Sequence, residues 1–168
     1  MKMIFDACTV ILLAKASVLE AAARTYSITL PRSVYKEVMA GKEKKLPDSL
    51  LTERLIQIKL LSIADGNYQE LRENLKKDFG MGNGEAESIT LAMKGGFDAV
   101  ATDNKQGRKA ALVNALDLVG SPEIIMALFK LKKITSEKTI HALKLLKKEG
   151  WFNELLIERL LEEVEKNV

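Results

Sequence analysis

Apolar and polar positions alternate along this chain at two different periods. Short apolar runs are separated by longer stretches in which apolar side chains recur every third or fourth position, the mark of amphipathic helices. Lys2–Phe5 reads as a strand ending at Asp6, and 10–23, rich in Leu, Ile and Ala, as a buried helix. Ser27–Leu30 reads as a second strand stopped by Pro31. A helix over 33–40 follows, with Val34, Tyr35 and Val38 at helical spacing and Ser33 as its N-cap. A basic loop, 41–45, leads to a helix from Pro47 to about Gln57, a third strand over 58–63, and a turn at Asp65-Gly66 into a helix over 67–78. The glycine-rich stretch GMGNGE, 80–85, opens a helix over 85–94. A fourth strand over 97–102, a helix over 104–114 and a fifth strand over 115–119 come next. Ser121-Pro122-Glu123 is a strong helix start, with a capping residue, Pro at the first position and an acid in the first turn.

Strands alternating with helices predict an α/β domain with a mostly parallel sheet. From about residue 134 the pattern becomes purely helical, with helices over 136–149 and 153–167 separated by Gly150-Trp151. The last helix places Leu156, Leu160, Leu161 and Val164 on one face. No repeat or linker interrupts the chain, so the expected division is an α/β domain over 1–135 and a C-terminal helical extension over 136–168 packed on the same domain.

Composition narrows the class. At 168 residues, 47% hydrophobic and 29% charged, the chain suits one globular core. No apolar run approaches the roughly 20 residues needed to span a bilayer, and Asp6 interrupts the start too early for a signal peptide. The expectation is a cytoplasmic protein with no membrane partner. One cysteine, Cys8, and one histidine, His141, exclude an internal disulfide and leave no Cys/His set for zinc. A net charge of +3 permits a nucleic-acid partner without specifying one.

The candidate chemistry is carboxylate chemistry. In open parallel sheets, ligands bind beyond the carboxyl ends of the strands. Asp6 ends the first strand and Asp103 the fourth, Glu85 opens the helix after the glycine loop, and Glu37 lies on the helix after the second strand. Taken singly, each has a plain role as a helix cap, a dipole partner or a solvated side chain. Taken together they would repel, by about 4 kcal/mol for two charges roughly 4 Å apart at an effective dielectric near 20. Raised pKa values or a bound cation relieve that repulsion. All-oxygen ligands favour Mg²⁺ or Mn²⁺, and a carboxylate-held metal suits phosphodiester hydrolysis. Lys105, Arg108 and Lys109, just after Asp103, read as attractors for a phosphate backbone, and Lys36, Lys42, Lys44 and Lys45 add charge near Glu37. For the 42–45 run a solvated basic loop is the equal alternative. GMGNGE only loosely matches a dinucleotide fingerprint: it does not directly follow a strand and no Lys-Ser/Thr pair follows it. Its glycines read as turn residues instead.

The segments MIFDACTVILLAK, LPRSVYKEVMAG, GNGEAESITLAMKGGFDAVATDN and QGRKAA, in this order and spacing, resemble the PIN-domain family of metal-dependent ribonucleases over about residues 1–135. The resemblance implies a three-layer α/β/α sandwich with a central parallel sheet of about five strands. It places the family's four acids on Asp6, Glu37, Glu85 and Asp103 as catalytic and metal-binding residues, with Asn104 as an auxiliary ligand and Glu87 ranked lower. It implies Mg²⁺- or Mn²⁺-dependent endonucleolytic cleavage of RNA by in-line attack of water, leaving a 5′-phosphate and a 3′-hydroxyl, with Lys105 and Arg108 as RNA contacts. Many relatives are VapC-type toxins neutralised by an antitoxin protein, and many form homodimers. Two positions depart from the family pattern: Cys8 stands where Ser or Thr is common, and Asn104 where a further Asp often follows the fourth acid. These departures favour the alternative reading, a weak or inactive PIN-like module that binds RNA or protein.

Overall fold

The first apolar run becomes strand β1 (Lys2–Phe5), and its alternation sorts the core into two halves. Met3 and Phe5 face one side of the sheet and Ile4 the other, all three essentially without solvent contact. A strand buried on both faces is the signature of a parallel sheet covered by helices on each side. The computed structural model describes residues 1–42, 44, 46–150 and 152–167. Lys45, expected in the basic loop, and Trp151, expected between the last two helices, lie outside the described residues.

Four further strands join β1: β2 (Ser27–Pro31), β3 (Leu61–Ala64), β4 (Ala99–Ala101) and β5 (Leu118–Val119). Every pairing is parallel, and the order across the sheet is β3-β2-β1-β4-β5. Among the described residues ten helices connect and flank these strands. On the Met3 and Phe5 side lie α1 (Ala7–Lys15), α2 (Leu19–Thr25), α3 (Arg32–Met39), α4 (Pro47–Gln57), α8 (Ser121–Lys130), α9 (Ser136–Glu149) and α10 (Glu154–Lys166). On the Ile4 and Val100 side lie α5 (Gln69–Phe79), α6 (Asn83–Met93) and α7 (Lys105–Val113). The result is a three-layer α/β/α sandwich with a five-stranded parallel sheet, as the sequence predicts.

β3, β4 and β5 are shorter than their expected ranges, and one physical device accounts for the late starts of β3 and β5. Helices α1, α4, α7 and α8 each end in a left-handed residue that is not glycine: Ser17, Lys59, Ala115 and Lys132, with φ between 53° and 60°. At each end the following amide donates back to the carbonyl five residues earlier, as Val18→Leu13 (2.9 Å), Leu60→Leu55 (2.9 Å), Leu116→Ala111 (2.9 Å) and Lys133→Leu128 (2.8 Å). These are Schellman caps, and they satisfy carbonyls that the helix end would leave orphaned. The cap at Ser17 splits the expected helix over 10–23 into α1 and α2. The caps at Lys59 and Ala115 use up the first residues of the expected strands over 58–63 and 115–119. Without a glycine at these positions the sequence gives no ordinary stop signal.

Several helix starts also differ from expectation, α5 and α6 by two residues each. Asp6 caps α1 at Ala7, three residues before the expected start at 10. The N-cap of α3 is Pro31 rather than Ser33, and that of α8 is Gly120 rather than Ser121. Both serines are spent elsewhere, as described below. In α10 the apolar face centres on Ile157, Leu160, Leu161 and Val164, while Leu156 is exposed. Through Ile157 and Val164, both fully buried, α10 shares the same apolar cluster as Met3, Phe5 and α1.

Candidate active site

The strand order reverses direction of growth between β1 and β4, and the crevice beyond the carboxyl ends of that strand pair is where an open α/β sheet offers a site. Phe5 pairs with Ala101, and the Asp6 amide donates to the Ala101 carbonyl at 3.0 Å. The next residues on the two chains are therefore Asp6 on one side and Thr102-Asp103 on the other. Asp6 Oδ1 accepts from the Thr9 amide at 2.8 Å, the ordinary duty of an N-cap. Its other oxygen, Oδ2, is buried and has no hydrogen-bond partner among the described residues. Burial pushes the Asp6 carboxyl up to about 7, and the neighbouring Asp103 adds to the rise.

Asp103 does not cap α7; Asn104 does, its Oδ1 accepting from the amides of Gln106 (2.8 Å) and Gly107 (3.4 Å). The Asp103 carboxylate is instead held by donors from two other helices. Oδ1 accepts from the Ser121 amide at 2.8 Å, and Oδ2 accepts from the Ser121 hydroxyl and from Thr9 Oγ1 (3.0 Å). Gly120 has no room for a side chain, because a Cβ there would sit 2.9 Å from Asp103 Oδ1. Burial raises the Asp103 carboxyl, against the lowering effect of the Ser121 and Thr9 donors.

A cleft of about 380 Å³ opens at this edge, and Asp6, Glu37, Glu85 and Asn104 all line it. Helix α6 starts at Asn83, so the expected start at 85 falls inside its first turn. Glu85 Oε2 accepts from the Gly82 amide at 3.2 Å, which fixes the carboxylate at the rim. Glu37 reaches across from α3, and its Oε2 would lie 2.9 Å from a Cβ at position 84. Only glycine at 84 lets α3 and α6 approach so closely. Partial burial, then Glu85, raise the Glu37 carboxyl. Cys8 lies on the same cleft wall, and partial enclosure followed by the charges of Asp6, Asp103, Glu85 and Glu37 pushes its thiol up to about 12. The charges of all four acids thus reach Cys8, although Asp103 itself is not among the residues lining the cleft, and with its pKa raised the thiol favours the protonated form. Among the described residues no three acids have closed to the distances of a single ion's ligand shell.

Other candidates separate from this cleft. Glu87 is 4% exposed and accepts from the Ser33 amide (2.8 Å) and hydroxyl, in a different depression with Arg32, Lys36 and Arg72. Lys105 is exposed on α7, and Arg108 Nη1 donates to the Thr102 carbonyl at 3.3 Å; neither lines the cleft. Lys42 pairs with Glu53 at 2.6 Å, away from the acids. Three residues at the site escape sequence reasoning. Ser121 reads as a cap, and neither Glu149 nor Lys15 is singled out by the sequence, although Lys15 lies seven residues after Cys8 and so on the same helical face. A larger depression of about 700 Å³, lined by Glu20, Arg24 and Lys138 among others, contains none of the four acids.

A family model described as a PIN domain, DUF3368, matches residues 2–166, nearly the whole chain. No curated protein matches the chain. Among the described residues no helix is long and apolar enough to cross a membrane. The match takes in the C-terminal helices as well as the sheet, and the PIN fold is a nuclease-type fold. On that match and the parallel five-stranded sheet, the chain belongs to the PIN-domain family.

Proposed function

We propose that this protein is a metal-dependent endoribonuclease whose site is the cleft between β1 and β4. The observation that carries the reading is the Asp6 carboxylate, 1% exposed on the wall of an acid-lined cleft, with Oδ1 capped by the Thr9 amide and Oδ2 without a well-formed hydrogen bond among the described residues. Buried polar atoms are almost always partnered, so such an oxygen calls for a ligand that supplies positive charge. The donor set fits a hard divalent cation: Asp6, Glu37, Glu85 and Asp103 would hold Mg²⁺ or Mn²⁺, with the Asn104 carbonyl beside them. When bound, such an ion supplies an activated water and neutralises charge on the phosphodiester oxygens.

The chain's own residues do the positioning. Thr9 and Ser121 hold the Asp103 carboxylate by three donors, so its free lone pairs keep a fixed direction. Asp6 is held rigidly by the α1 cap. Glu85, tethered to Gly82, and Glu37, braced over Gly84, form the opposite rim. Before any ion binds, burial and the acids hold the Cys8 thiol well above its ordinary pKa, which disfavours it as a nucleophile. RNA as the substrate, and a toxin–antitoxin setting, follow from the family resemblance.

The test is cleavage of a mixed-sequence labelled RNA in Mn²⁺, Mg²⁺ or chelator by the native protein and by Asp6→Asn and Glu85→Gln. Metal-dependent cutting by the native protein that both variants lose is the expected result. Cutting that survives in both variants would sink the assignment. Absent cutting, with RNA still bound, would favour the non-catalytic binding module that Cys8 and Asn104 suggest.

A further inference from the structure

Helix α1 presents a graded face to the cleft. Cys8, Ile11, Leu12 and Lys15 line it in turn at helical spacing, starting beside the acids. Lys15 stands about 10 Å along the helix axis from Cys8, at 1.5 Å per residue. It is the single cation among the described residues lining the cleft, and every other charged residue described there is an acid. Its ammonium is not free: it donates to Glu149 Oε2 at 3.0 Å, at the last residue of α9. Glu149 also lines the cleft. The C-terminal helical pair therefore reaches the site through this one ion pair.

We infer that the Ile11–Leu12–Lys15 face of α1 is the track along which a single RNA strand leaves the acids. In this assignment Lys15 contacts a backbone phosphate, and Glu149 competes with that phosphate for Lys15. The inference rests on the reading of the cleft as an RNA site. A polyanion entering an acid-lined cleft needs a cation beyond the scissile position, and phosphate contacts by lysine set register and affinity. Half-buried Ile11 between the two ends, backed by the buried Leu12, offers an apolar contact to a base or sugar. The pair with Glu149 is solvent-exposed on both sides, 45% and 34%. Such pairs are weak, so Glu149 holds Lys15 back by no more than about fivefold, enough to tune binding and too little to prevent it. The end of α9 thus acts as a resident mimic of the phosphate.

The experiment measures binding of a fluorescein-labelled single-stranded RNA dodecamer in Mg²⁺, using full-length Asp6→Asn so that the strand stays whole. Glu149→Gln, Lys15→Gln and the double variant are compared in that background across a salt series. Lys15→Gln is expected to weaken binding about three- to tenfold and to flatten the slope of log K against log salt by about 0.7, the value for one single-strand phosphate contact. Glu149→Gln is expected to tighten binding by up to about fivefold when Lys15 is present and to do nothing when it is absent. Equal tightening by Glu149→Gln with and without Lys15 would mean a general charge effect and overturn the competition. Indifference of binding and slope to Lys15→Gln overturns the track. Cutting by the native protein, scored in parallel, separates the two readings. If the native protein cuts but ignores both charges, this inference alone fails. If it binds with the expected pattern and never cuts, only the nuclease reading fails.

Discussion

At the scale of single residues, Asp6 determines how the molecule responds to pH. Its carboxyl sits near 7 in the folded chain and at 3.8 in the unfolded one, so the folded state carries the extra proton between those values. Stability contributed by the protonated form is therefore present at low pH and is lost as pH rises from about 4 to about 7, on the order of 4 kcal/mol. In chelator, Asp6→Asn should melt higher than the native protein at pH 8 and about equally at pH 4, because the amide keeps the cap on Thr9 without the buried charge. Added Mn²⁺ should raise the native melting temperature more at pH 8 than at pH 5, since proton and cation compete for the same oxygens. Ser121 acts one layer out. Ser121→Ala removes one of three donors on Asp103, and a loss of about 10- to 100-fold in metal affinity or cleavage with an unchanged circular-dichroism spectrum is expected. Asp6 and Asp103 are legible in sequence because each follows an apolar run that must end at a sheet edge. Ser121 is not, because a serine before Pro-Glu looks like a cap, and only the register of β4 against β5 brings it to Asp103.

At the scale of elements, the instructive feature is the set of four glycine-free Schellman ends. Each places a side chain in the left-handed region at a cost that glycine avoids. Glycine at Lys59 or Lys132, both exposed, should stabilise the protein by about 0.5–1 kcal/mol each, read as a shift in the denaturant midpoint with an unchanged slope. The same ends explain which boundaries the sequence hides. Elements announced by Pro or glycine start close to where periodicity puts them, as α4 does at Pro47. Elements that follow Ser17, Lys59 and Ala115 are displaced, because the cap is specified by tertiary packing of the residues after it rather than by the capping residue. Gly84 works in the opposite sense. Gly84→Ala would crowd Glu37 and Val34, and about 1–3 kcal/mol of lost stability with Glu37 displaced from the rim is expected.

At the scale of the whole molecule, the sheet was readable before the structure because doubly covered parallel strands are apolar throughout, while the tail was readable only as helices. The end of α9 at the cleft wall is not legible, since Glu149 follows Lys147 and Lys148 at the charged end of a helix and carries no address in the sequence. The strand order β3-β2-β1-β4-β5 has one further consequence, concerning time rather than space. During synthesis the chain delivers β1 first, yet Asp6 gains its neighbour only when β4 arrives, and Asp103 is not held until Ser121 of α8 has followed. Parallel pairing across so long a separation is slow relative to local helix formation. A nascent chain still on the ribosome, surrounded by RNA, therefore carries the first acid of its site without the rest. The ribonuclease proposed above, built in this order, would stay harmless to its own translation machinery until most of the chain has emerged.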